Sequence, residues 1–333
     1  MKTMLLLSKA VFALMIGFFI SLICALLFIP ILKKIKAEQT VNSYLREAHQ
    51  KKQGTPTMGG IIFIVATMIS MLLLYYFEKI TMNYSIFIIF ITFLGYGLIG
   101  FIDDYLIIKN HNNKGLTEKQ KLLFQLIISV IFFYLFMISG NEPLLWIHTF
   151  HIKIDIGWLY GVFILFLLLA SSNAVNLTDG LDGLAGGLSV ISYLTFGMIA
   201  FSTGWLEGYE TVGCFCFILV GALLGFLVFN VSPAKVFMGD TGSLSLGATL
   251  GALAILTRHE LLLIIIGIVF VIETCSCILQ RYYYKLTHKR LFPMAPLHHS
   301  FEKKGWNERD IVKLFWIIGL FGSMIALAFG VWL

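Results

Sequence analysis

The chain has 333 residues, of which 59% are hydrophobic and only 13% charged. A soluble domain carries about a quarter charged residues, so most of this chain is expected in lipid. The formal charge of +6 does not point to nucleic acid, because basic loops on a membrane protein report orientation and contact with anionic lipid.

A membrane span needs about 20 mostly apolar residues. On that basis the sequence predicts an all-α polytopic membrane protein with ten spans, at 10–32, 59–77, 85–102, 122–140, 158–172, 184–203, 212–230, 243–257, 260–279 and 314–333. The first run follows Lys2 and Lys9, as in a signal peptide. It is longer than a signal core and lacks a small-residue cleavage pattern, so it is expected to be retained. Ahead of the second span, Lys51-Lys52-Gln53-Gly54-Thr55-Pro56-Thr57 sets lysines beside glycines and hydroxyls. That suits phosphate, although the Walker spacing is absent.

The third span closes on Asp103-Asp104. Adjacent carboxylates repel, and a cation is their natural partner; standing alone, such a pair would be read as a solvated helix end. Lys114, Lys119 and Lys121 follow as cationic partners. Apolar and polar residues roughly alternate over 147–156, which predicts a short surface hairpin. After the fifth span, Asn173, Asn176, Asp179 and Asp182 are spaced by three and share one face if the segment is helical. Gly180 and Gly183 permit tight turns or close approach of backbone to a ligand.

Asn230 and then Phe237-Met238-Gly239-Asp240-Thr241-Gly242-Ser243 follow the seventh span. Free N–H groups at a helix start favour phosphate. Asp240 either caps that helix or, as read here, holds Mg²⁺, which is usually bound through one or two carboxylates plus substrate phosphates. Glu273, inside the ninth span, fits a proton relay or a helix break and is assigned no chemistry. In the last inner loop His298-His299 is read as a phosphate or nucleotide contact, since adjacent histidines on a helix point in different directions. The five cysteines all lie in apolar stretches, so neither a disulfide framework nor a zinc site is expected.

Loops 33–58, 103–121, 173–183, 231–242 and 280–313 hold 19 of the 24 Lys and Arg residues. The positive-inside rule makes these loops cytoplasmic and puts both termini outside. Six of the seven Asp fall on that side, five of them at or just past the end of a span. Charges there are costly without partners, so a shared site is expected, formed by these loops on a single membrane domain, 1–333. A cation-coupled transporter would instead place carboxylates near the middle of its spans.

In this order, Gly-Thr-Pro-Thr-Met-Gly-Gly at 54–60, Asn-Leu-Thr-Asp-Gly-Leu-Asp-Gly at 176–183, Phe-Met-Gly-Asp-Thr-Gly-Ser at 237–243 and Pro-Leu-His-His at 296–299 resemble the phospho-N-acetylmuramoyl-pentapeptide transferase family of bacterial cell-wall synthesis. The last motif separates that family from siblings that use UDP-N-acetylglucosamine. The resemblance implies ten spans, a homodimer in the bacterial plasma membrane, and a cytoplasmic cleft. The implied reaction joins undecaprenyl phosphate to UDP-MurNAc-pentapeptide, giving lipid I and UMP. It also implies that Asp240 is the Mg²⁺ ligand and that Asp103 is a base on the lipid phosphate with Asp104 beside it. By the same resemblance Asn176, Asp179, Asp182, Asn230 and Phe237 form a nucleoside pocket, with Phe237 stacking on uracil. Lys52, Thr57, Lys119, Gln280, His298 and His299 then line the cleft further. Two positions depart from the family pattern. Ser300 stands where a third histidine is common, and Ile107 stands where a lysine often follows the aspartate pair.

Overall fold

A computed structural model of the chain describes residues 2–35, 37, 54–110, 115–147, 152–204, 206 and 208–332. The described elements, in chain order, are α1 Lys2–Lys34, α2 Gly60–Tyr76, α3 Tyr84–Asn110, α4 Glu118–Ile138, β1 Leu144–Ile147, β2 Ile152–Asp155, α5 Leu159–Thr178, α6 Leu184–Ser202, α7 Tyr209–Asn230, α8 Gly239–Leu256, α9 Leu262–Ile266, α10 Ile268–Thr287, α11 Leu297–Lys303 and α12 Glu308–Leu327. A π-helical turn follows at Ala328–Trp332. Lipid offers backbone groups no hydrogen-bond partner, so an apolar chain must satisfy them within its own helices.

Among the described residues, seven helices are long and apolar enough to cross a membrane: Met4–Lys34, Tyr84–Asn110, Glu118–Ile138, Leu159–Thr178, Leu184–Ser202, Tyr209–Asn230 and Glu308–Leu327. These fall on the predicted segments 10–32, 85–102, 122–140, 158–172, 184–203, 212–230 and 314–333, and they make the chain a multi-pass membrane protein. The other three predicted segments are helical but take different forms. Helix α2 is an apolar helix of 17 residues. In α8, which starts at Gly239, every residue but Asp240 is buried, so other helices rather than lipid surround it. The segment predicted as one span at 260–279 is divided at Gly267 into α9 and α10, and α10 runs on to Thr287. Hydropathy marks where apolar residues stop, but helical hydrogen bonding continues through polar residues. For the same reason α3 carries Asp103 and Asp104 on helix, and α5 carries Asn173 and Asn176.

The helices meet through small residues, as expected where lipid supplies no hydrophobic drive between them. A Cβ added at Gly221 of α7 would lie 1.9 Å from Leu14 O of α1, and one at Gly17 would lie 2.1 Å from Ile218 O. Helix α8 is held as closely. A Cβ at Gly100 of α3 would lie 2.1 Å from Asp240 O, and one at Gly60 of α2 would lie 2.3 Å from Gly242. Ser245 Oγ donates to Phe93 O at 2.7 Å, and Tyr193 Oη donates to Leu246 O at 2.7 Å. Large apolar side chains face outward from α1 (Phe12, Phe19, Ile23, Leu27) and α4 (Leu123, Ile127, Val130, Tyr134).

The strands pair antiparallel, with Leu144 opposite Asp155 and Ile147 opposite Ile152. The hairpin predicted at 147–156 is therefore present, with its first strand starting at Leu144; residues 148–151 lie outside the described set. Arg258 ties it to the bundle by donating to Leu144 O at 2.8 Å and Glu142 O at 2.7 Å.

The contact between α1 and α7 is backbone on backbone, and overpacking such a contact costs about 1–3 kcal/mol or more. Gly221→Val is expected to lower the thermal unfolding midpoint in detergent by several degrees. Gly204→Ala, whose added Cβ would meet nothing within 4 Å, is expected to leave it unchanged. Equal midpoints for the two variants would contradict this packing.

Candidate active site

The aspartate pair Asp103-Asp104, in the last third of α3, is split between two tasks. Asp104, 1% exposed, reaches the first turn of α8. It accepts from Asp240 N at 3.2 Å, Thr241 N at 2.9 Å and Thr241 Oγ1 at 2.7 Å. The N-terminus of α8 was expected to offer free N–H groups to phosphate. Here these two are taken by a carboxylate from another helix, which satisfies orphan donors and complements the helix dipole. Gly239 makes this possible. Its φ is +73°, and a Cβ there would lie 2.6 Å from Asp104 Oδ2 and 2.8 Å from Thr57 Oγ1.

Asp103, 3% exposed, faces the other way. Its Oδ1 accepts from Leu116 N at 2.6 Å, and its Oδ2 lies 2.9 Å from Lys121 Nζ. Lys121 Nζ also lies 3.0 Å from Asp240 Oδ2. The second oxygen of Asp240 accepts from Asn176 Nδ2 at 2.8 Å, and the same amide lies 2.9 Å from Ser243 Oγ. Residues from α3, α4, α5 and α8 thus converge on one point. Lys121 is placed by its own helix start. Thr117 and Gln120 form a reciprocal capping box, so α4 begins at Glu118 and Lys121 sits in its first turn. That Thr-x-x-Gln pattern is a legible helix signal that puts both Lys119 and Lys121 in the first turn; the contacts with Asp103 and Asp240 single out Lys121. Lys119, predicted to line the cleft, is exposed instead.

The remaining predicted residues divide into those near this point and those tying loops together. The four polar residues spaced by three do not share one helical face, because α5 ends at Thr178 and Gly183 turns left-handed with φ +80°. Asn173 is exposed and donates back to Leu169 O at 2.8 Å. Asp179 is half-buried, and removal from water together with the charges of Asp240, Asp104 and Asp182 raises its carboxyl to about 7. Asp182 accepts from Ala234 N at 3.0 Å. Asn230 bridges the loops, accepting from Gly183 N at 3.1 Å and donating to Val236 O at 2.9 Å. Phe237 keeps part of its side chain exposed, while its backbone pairs with Pro56 and Gly59 at 2.8 Å each.

Thr57 is 1% exposed, and its Oγ1 has no hydrogen-bond partner among the described residues. Gln280 Oε1 accepts from Leu291 N at 3.0 Å and Phe292 N at 2.9 Å, so it holds the last inner loop against α10. His298 is buried against Gly180, where a Cβ would lie 2.3 Å from its Nε2. His299 pairs through Nδ1 with Glu302 at 2.6 Å. Ser300 hydrogen-bonds both N and O of Met294 and so closes a turn. Lys52 and Lys114 lie outside the described residues.

Among the described residues no three His, Cys, Asp or Glu side chains are grouped to enclose a metal ion. What is present is the Asp240 carboxylate, held by Lys121 Nζ and Asn176 Nδ2, with the Asp179 carboxyl near enough to feel its charge. That donor set fits a hard cation held by one or two carboxylates and completed by substrate phosphates.

Comparisons with known proteins agree with the motifs. The glycosyl transferase family 4 model matches residues 86–258, and the phospho-N-acetylmuramoyl-pentapeptide-transferase signature 1 matches residues 52–64. A protein of Geobacillus thermodenitrificans named phospho-N-acetylmuramoyl-pentapeptide-transferase is 46% identical over 323 residues, covering 97% of this chain and 98% of its own length. Proteins with the same name from Bacillus cytotoxicus (48% identical, 96% of this chain and 97% of its own) and Listeria monocytogenes serotype 4b strain F2365 (47%, 93% and 95%) are similar along nearly their whole lengths. With its signature, its family match and near full-length identity in agreement, the chain belongs to the phospho-N-acetylmuramoyl-pentapeptide-transferase family.

Proposed function

We propose that the chain transfers phospho-MurNAc-pentapeptide from UDP-MurNAc-pentapeptide to undecaprenyl phosphate, giving lipid I and UMP, with Mg²⁺ held at Asp240. The observation that carries this reading is the convergence of Asp103, Lys121, Asp240 and Asn176 at one end of the helical bundle. The names of the relatives favour the MurNAc-pentapeptide donor over UDP-N-acetylglucosamine. The grouping of carboxylates at helix ends argues against a transporter. In the same reading the chain is one domain with ten spans in the bacterial plasma membrane, both termini are outside, the site faces the cytoplasm, and the chain works as a homodimer.

Both reactants are anions and repel each other. Bound at Asp240, Mg²⁺ supplies charge neutralisation to the donor pyrophosphate. Lys121, already shared by two carboxylates, adds a positive charge at the meeting point. The lipid phosphate oxygen attacks the sugar-linked phosphorus, and UMP leaves. A phosphate monoester has a second pKa of about 6, so the attacking phosphate is largely deprotonated at neutral pH. Both oxygens of Asp103 already have partners in Leu116 and Lys121. Its task is therefore mostly positional: it holds Lys121 toward the phosphates. Asp179 feels the same need for positive charge, because a cation beside a raised carboxyl returns it to its charged form.

Purified protein in detergent is expected to release UMP only when UDP-MurNAc-pentapeptide, undecaprenyl phosphate and Mg²⁺ are all present, and to stop on addition of EDTA. Release from UDP-N-acetylglucosamine but not from this donor would move the chain to the sibling activity. Removing one preorganised charge-stabilising donor typically costs about 10²–10³ in turnover. Lys121→Met is expected to show a loss of that order, and Lys119→Met a loss under about tenfold on the same scale. The reverse order would place the wrong lysine at the centre. Asp103→Asn is expected to lower turnover by about 10² for the same reason; near-normal turnover would remove Asp103 from the reaction.

A further inference from the structure

Glu273 lies in the first half of α10, in an apolar stretch, with none of its surface exposed. A carboxylate buried in a membrane helix is costly unless paired. Its partner is His298 on α11, which is also fully buried. The backbone N–H of His298 lies 3.1 Å from Glu273 Oε1, and His298 Nδ1 lies 3.2 Å from Oε2. The second ring nitrogen, Nε2, is buried and has no hydrogen-bond partner among the described residues. It faces Gly180, where only the missing side chain leaves room for the ring. Gly180 adjoins Asp179, which the family resemblance implies is part of the nucleoside pocket. The ring is thus anchored at one nitrogen, and its other nitrogen is buried against the Gly180 backbone.

We propose that Glu273 is a positioning residue for the transfer reaction, holding His298 as the Nδ1–H tautomer with its Nε2 lone pair against Gly180, beside Asp179. Glu273 already accepts from the His298 backbone N–H, and with its carboxylate oxygens acting as acceptors the ring nitrogen beside it carries the proton. Burial lowers the imidazole pKa, and Glu273 opposes that only in part, so the ring stays neutral near pH 7. A neutral ring protonated on Nδ1 offers an acceptor at Nε2. Any group that reaches Nε2 beside Gly180 must therefore bring an O–H or N–H, and a deprotonated phosphate oxygen is not its partner. This also accounts for a buried acid in α10 that sequence reasoning left without chemistry.

The turnover part of this inference rests on the proposed reaction; the tautomer part does not. The discriminating substitution is Glu273→Gln, which keeps the shape of the side chain. The backbone N–H of His298 needs the amide oxygen, so the amide NH₂ faces Nδ1 and the ring proton must move to Nε2. In ¹⁵N-histidine-labelled protein the His298 signals are identified by their loss in His298→Gln. They are expected to show protonated Nδ1 and bare Nε2 in the wild type, and the reverse in Glu273→Gln. Turnover in Glu273→Gln is expected to fall by about 10² or more, by analogy with a triad whose histidine is put in the wrong tautomer, with the unfolding midpoint unchanged. Glu273→Gln combined with His298→Gln is expected to be no slower than His298→Gln alone.

Additive losses in that pair, or a wild-type ring protonated on Nε2, would overturn the proposal. The wild-type tautomer decides even if Glu273→Gln fails to fold. Absence of UMP release by the wild type would defeat the transfer reading and leave the tautomer result standing.

Discussion

Asp104 reaches across from α3 to hold the first turn of α8, and the geometry of the site depends on that one contact. It accepts three hydrogen bonds while almost wholly buried. Buried away from water, an acid is tolerable only when such donors surround it. The contact fixes where Asp240 emerges from an otherwise buried helix, and so where it meets Lys121 and Asn176. Gly100 and Gly239 let the two chain segments come close enough, since a side chain at either would collide with the partner. A helix start of the kind that binds phosphate is thereby converted into a rigid support for a carboxylate.

A second regularity follows from the cost of charge in an apolar protein. Each acid buried near this end of the bundle has a named counterpart. Asp103 has Lys121, Asp104 has the α8 N-terminus, Glu273 has His298, and Asp182 has the backbone of Ala234. Asp240 is the more open one, and Asp179 is left with its carboxyl raised by its surroundings. The more open acids, Asp240 with Lys121 and Asn176 beside it and Asp179 nearby, are thus grouped where an incoming cation and phosphates would meet them. The acids that hold the structure are separated from the acids available to a ligand.

Much of this was legible in the sequence because lipid imposes a simple rule on composition. Apolar length located most of the helices, and costly charges at helix ends located the site. Hydropathy could not show where helices stop. It therefore put Asp103, Asp104 and Asn176 in loops although they lie on helices, and it treated 260–279 as one span although Gly267 divides it. Adjacent residues can also serve opposite purposes, as Asp103 and Asp104 do, and their side-chain directions depend on which helix packs beside them. Asn230, Asp182 and Gln280 look like ligand-binding residues by type. In the structure each bonds backbone from a neighbouring loop, which is a tertiary property that spacing alone does not encode. Glu273 had no legible partner because His298 lies 25 residues away on a separate helix.

The central claim is that Asp240, set in place by Asp104, is where the cation binds. The most direct measurement is Mn²⁺ binding followed by electron paramagnetic resonance in purified protein with UMP present. One Mn²⁺ per chain is expected, displaced by Mg²⁺, lost in Asp240→Asn and retained in Asp310→Asn. Mn²⁺ binding that is unchanged in Asp240→Asn would contradict it.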